Sequence, residues 1–79
     1  ARNMLGTLDT DTDLLETIKV YIESNANATV AAKKLFLHRN SLNYRLDKFH
    51  EITSLDVRQF EDSLSAYLAI RLLEGLNKE

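Results

Sequence analysis

Apolar residues recur along this chain at helical spacing, with polar residues filling the opposite faces. Leu14, Leu15, Ile18, Tyr21 and Ile22 form one such face and predict a first helix from about Thr12 to Ser24. Asp9, Asp11 and Asp13 bring negative charge to its start, where the helix dipole favours anions. The run Ser24-Asn25-Ala26-Asn27 ends it, because asparagine tolerates left-handed turn geometry. A second helix is predicted from about Val30 to Phe36, with Thr29 or Asn27 as its N-cap. Ala28, Ala31 and Ala32 let a neighbouring helix approach closely, and Leu35 and Phe36 are assigned to the core.

The tetrapeptide Leu37-His38-Arg39-Asn40 makes the next turn, and a third helix is predicted from Asn40 to Ile52. At about 100° per residue, Leu46, Phe49 and Thr53 fall close to Leu42 and form a narrow core stripe. Asn40, Tyr44, Asp47 and Glu51 fall opposite, flanked by Asn43 and Lys48, with Ser41 and Arg45 at the boundary. A fourth helix is predicted from about Gln59 to Leu73 or slightly beyond, with Gly75 as its C-cap. It carries two apolar stripes: Phe60, Leu64, Leu68 and Leu72 on one side, Ala66, Ala69, Ile70 and Leu73 on another. A helix that is apolar on two sides touches two things, here a core and either a second subunit or a missing domain.

Proline is absent and the two glycines, Gly6 and Gly75, lie near the ends, so the middle of the chain has no strong helix breaker. No segment alternates with the period of a strand. The expectation is an all-α domain of four to five helices, with a helix-turn-helix at about residues 28–53 and a long C-terminal helix. The 79 residues suit one domain, taken as 1–79, with a thin core. Cysteine is absent, so no disulfide or thiolate-bound metal staples it. The apolar runs are too short to span a membrane, and the start of the chain lacks the layout of a signal peptide. A cytoplasmic setting is expected.

Charge is unevenly placed. The net charge is −2, yet residues 33–48 carry Lys33, Lys34, Arg39, Arg45 and Lys48 against Asp47 alone. The flanking segments are both acidic. A concentrated basic window is the electrostatic footprint of phosphate contact. It coincides with the second member of a helix pair joined by a tight turn, the layout in which that second helix enters the major groove of DNA. Asparagine can pair with an adenine edge, and arginine or lysine with guanine. Asn40, Asn43 and Tyr44 are therefore candidates for base contact, and Arg39, Ser41, Lys48 and Thr29 for phosphate contact. Tyr44 carries particular weight, because an aromatic ring amid a polar face calls for a partner. His38 suits either a phosphate or the cap of the third helix. Arg45 suits either DNA or a structural salt bridge to an acidic residue of the first or fourth helix.

The stretch from Asn27 to Leu46, NATVAAKKLFLHRNSLNYRL, resembles the C-terminal DNA-binding domain of PucR-type transcriptional regulators, which include purine-catabolism and sugar-diacid regulators. Ala32, Leu35, Phe36, His38, Arg39, Asn40, Leu42, Tyr44, Arg45 and Leu46 carry the resemblance, which extends over roughly residues 5 to 73. The helix pair is also similar to that of Fis-like bacterial factors. Ser41 and Ala31 stand where threonine is commoner, and the usual acidic-proline start of the final helix is replaced by Gln59-Phe60. The resemblance implies double-stranded DNA as the partner and a larger bacterial regulator whose N-terminal region senses a small molecule. A homodimer is expected, with the fourth helix as a candidate interface.

The main rival is a helical interaction module without DNA binding, which the second stripe favours but which leaves the basic, amide-rich third helix unexplained. An enzyme is disfavoured, since the sequence has no cysteine, no glycine-rich phosphate loop and no His-x-x-x-His pair. No cofactor or metal site is expected. RNA binding is disfavoured because no platform of several aromatics is present.

Overall fold

The computed structural model describes the backbone of residues 12–78 and the side chains of 13–76, so Asp9, Asp11 and Gly6 lie outside the described residues. Within that range the chain forms α1 (Thr12–Glu23), α2 (Ala28–Leu35), α3 (Arg39–Thr53) and α4 (Phe60–Lys78), with no strand among the described residues. Helix α1 lies against each of the other three, and α2 also packs on α3. Helix α4 has its main contacts with α1 alone.

The core follows the predicted stripes. Leu14, Ile18 and Tyr21 of α1 meet Ala31 and Ala32 of α2, Leu42, Leu46 and Phe49 of α3, and Ala66 and Ile70 of α4, with Val57 filling the last connection. At α4 the stripe is narrower than the sequence suggested: Ala69 is exposed and Leu73 only half-buried. Polar links reinforce the α1–α4 contact. Lys19 Nζ bonds Glu74 Oε2 at 2.8 Å, and the Tyr67 hydroxyl donates to Glu23 Oε2 at 2.8 Å. The bond to Glu74 raises the pKa of the Lys19 ammonium above its ordinary value.

Three helix ends turn through left-handed residues, none of them glycine: Asn25 and Ala26 after α1, Phe36 after α2 and Ser54 after α3. After α2 the Leu37 N–H reaches the Ala32 carbonyl at 2.9 Å, and the Phe36 N–H reaches Lys33 at 3.2 Å. These two bonds form a Schellman motif that satisfies the last carbonyls of the helix.

This geometry corrects the expectation for Phe36. Its left-handed backbone, φ 57° and ψ 41°, turns the side chain off the helix face, and the residue is 96% exposed. Leu35 remains packed against the core. The start of α2 also moves two residues forward, because the Asn27 side-chain oxygen accepts from the Val30 N–H at 3.1 Å and so caps a helix beginning at Ala28. Gly75 does not cap α4. Its φ is not positive, and the helix runs through it to Lys78, since Leu76, Asn77 and Lys78 offer no break.

Candidate nucleic-acid interface

The α2–α3 pair is built by small residues and one tight turn. Ala31 and Ala32 are buried, which brings α2 close to the core face of α3. The turn is then closed at its second end by His38, whose Nδ1 accepts from the Asn40 N–H at 3.0 Å. His38 is thus the N-cap of α3, and that ring nitrogen is already occupied.

With Leu42, Leu46 and Phe49 facing inward, the other side of α3 is presented to solvent. Arg39, Asn40, Ser41, Tyr44, Asp47 and Lys48 are all exposed, and Asn43 is half-buried. Tyr44 is 65% exposed, so most of its surface is open to solvent. Thr29 is exposed in the first turn of α2, and Lys33 and Lys34 are exposed in its last turn.

Arg45 is placed differently from these residues. Its guanidinium donates to the Thr17 hydroxyl at 2.9 Å and to the Asp13 carbonyl at 3.5 Å. It therefore points toward α1, where it finds a hydroxyl and a backbone oxygen in place of the acidic side chain that its boundary position suggested. Sequence reasoning missed Thr17. The available signal was a polar residue inside the apolar stripe of the first helix, one step before Ile18.

A second missed residue is Arg58. It lies in the connection before α4 and bonds Asp47 Oδ1 at 3.0 Å. Asp47 is the sole acidic group in the basic window, and Arg58 sets a cation beside it. No sequence periodicity links two residues on different elements, so this pairing is visible only in three dimensions. The outer face of α3 thus presents amides, hydroxyls and cations around Tyr44, with Asp47 paired to Arg58 and Glu51 exposed farther along the helix. Among the described residues no cluster of His, Asp and Glu could hold a metal ion, and no helix is long and apolar enough to cross a membrane.

Comparison with known proteins gives concordant results. The family model described as the PucR C-terminal helix-turn-helix domain matches residues 14–72. The chain is 39% identical over 70 residues to the carbohydrate diacid regulator of Escherichia coli, covering 89% of this chain and 18% of that protein. It is 36% identical over 66 residues to the proline-responsive transcriptional activator PutR of Bacillus subtilis, covering 84% of this chain and 16% of that protein. It is also 36% identical over 62 residues to the purine catabolism regulatory protein of Bacillus subtilis, covering 78% and 12%. The chain therefore spans less than a fifth of the length of each of these relatives. No solved structure gives a significant match.

Proposed function

The chain belongs to the family of PucR C-terminal helix-turn-helix domains, which are DNA-binding domains of transcriptional regulators, and from that premise we propose that it binds duplex DNA sequence-specifically with α3 in the major groove. The observation that carries this reading is the outer face of α3. Asn40, Ser41, Tyr44 and Lys48 are exposed together there, and their side chains bond no other described residue. Asn40 and Tyr44 near the start of the helix, with Asn43 beside them, read base edges. Arg39, Ser41, Lys48 and Thr29 hold phosphates and fix the register. His38 and Arg45 contribute chiefly by setting where α3 starts and how it leans on α1, and His38 keeps Nε2 for a phosphate.

The domain is read as the DNA-binding part of a longer cytoplasmic regulator, whose remaining portion responds to a small molecule. Binding is read as homodimeric, with two copies on paired half-sites. Titration of a random-sequence duplex across a salt series tests the electrostatic part. Log affinity should fall linearly with log salt, by about 0.9 per phosphate engaged. A domain that ignores DNA at low salt, even when fused into an enforced dimer, defeats the proposal.

A further inference from the structure

Helix α4 turns Ala66 and Ile70 into the core and leaves Phe60, Leu64, Leu68, Leu72 and Leu76 on its other side, each 49–75% exposed. These five residues are spaced four apart, so they form one continuous ridge inclined to the helix axis. Taking about 200 Å² for a fully exposed phenylalanine side chain and about 130 Å² for a leucine, the ridge presents roughly 500 Å² of apolar surface. That is toward the upper end of what a monomer leaves uncovered, and two such ridges together reach about 1,000 Å², the area a specific interface has to clear.

The spacing also has a symmetry. Read outward from Leu68, the ridge runs Leu64 then Phe60 in one direction and Leu72 then Leu76 in the other. A two-fold axis at Leu68 therefore pairs Leu68 with its own copy, Leu64 with Leu72 and Phe60 with Leu76. We propose that this ridge is the homodimer interface, formed by two antiparallel copies of α4 whose ridges interlock about Leu68. The proposal deepens the homodimeric reading above and rests on it, but requires no DNA.

Two further observations favour this occupant and this orientation. In the antiparallel arrangement Glu61, which shares the outward face, meets Gly75 of the second copy, which has no side chain to collide with it. A parallel arrangement would set Glu61 against Glu61 and Arg71 against Arg71. At the Phe60 end the ridge is continuous with a groove of about 380 Å³, whose lining includes the apolar Ile22, Val57, Phe60 and Leu64 and the polar Arg58 and Gln59. The interlocked geometry brings the second copy's Leu76 to that groove, so the end of the interface is concave, with an apolar side for the leucine and a polar rim.

The absence of cysteine makes the test direct. Sedimentation of the chain without DNA should show a concentration-dependent monomer–dimer equilibrium. Leu68→Cys should then form an intermolecular disulfide about tenfold faster than Glu51→Cys on the outer face of α3, because the symmetry axis raises its effective concentration. A mixture of Leu64→Cys and Leu72→Cys chains should cross-link faster than either alone. Leu68→Glu should abolish the dimer while thermal melting shows an intact fold, since Leu68 lies outside the core. A dimer whose Leu68→Cys form cross-links no faster than the control overturns the surface and leaves the homodimer standing. A chain that stays monomeric at all concentrations overturns both, while the salt-dependent DNA titration still decides the DNA reading by itself.

Discussion

Arg45 and Thr17 join the candidate reading helix to the centre of the fold. The guanidinium of Arg45 donates to the Thr17 hydroxyl at 2.9 Å, and that hydroxyl donates onward to the Asp13 carbonyl at 2.8 Å. Thr17 is fully buried, so its hydroxyl needs both partners, and the relay fixes α3 against α1 at its midpoint. Removing either end should therefore act on stability. Arg45→Ala and Thr17→Val are each expected to cost about 1–2 kcal/mol in denaturant unfolding. The salt slope of DNA binding by Arg45→Ala should match the parent. A slope lower by about one phosphate would instead place Arg45 on the DNA backbone.

Asn40 and Lys48 should separate reading from holding. Asn40→Ala is expected to lose about 1–3 kcal/mol of discrimination between a selected site and random DNA. Lys48→Ala should weaken both alike and reduce the salt slope by about one. Competition titrations against the two duplexes measure both effects. If neither variant changes affinity or slope, α3 is not the element that meets DNA.

The pair Asp47 and Arg58 bears on the same surface from the opposite sign. Arg58→Ala leaves Asp47 uncompensated beside Lys48 and should lower DNA affinity several-fold at low salt, with the loss shrinking as salt is raised. Stability should shift by less than about 1 kcal/mol, as for other exposed ion pairs. Asp47→Asn in the Arg58→Ala background should restore the affinity. A failure to restore it would assign Arg58 a direct role on DNA.

Phe36 sits in left-handed backbone with its side chain in solvent, so the fold gains little from that ring. Phe36→Gly should relieve the steric cost of the conformation and stabilise the domain by about 1 kcal/mol, or roughly 4–8 °C in Tm. A lowered Tm would mean that the ring makes a stabilising contact after all.

The residues that were legible in the sequence and those that were not differ in kind. The inward stripes of α1 and α3 could be read because a period of 3.6 fixes which residues share a face, whatever they pack against. The outward placement of Tyr44 followed from the same rule. Phe36 was misassigned because periodicity holds only while the helix continues, and a left-handed cap breaks it one residue later. Gly75 misled for the converse reason: glycine permits a helix end without requiring one. The partners of Arg45 and Asp47 lie on other elements, Thr17 and Arg58, and pairings across elements leave only indirect traces in one chain.

The position of α1 also sets the order in which the molecule comes apart. Because α4 leans almost wholly on α1, it can lift away while α1, α2 and α3 stay joined, giving a partly opened state below the global unfolding energy. Amide exchange should then be slowest around Ile18 and fastest toward Leu76, with α1, α2 and α3 exchanging together as one cooperative unit apart from α4. A regulator built on such a domain could loosen its last helix without disturbing the surface it offers to DNA.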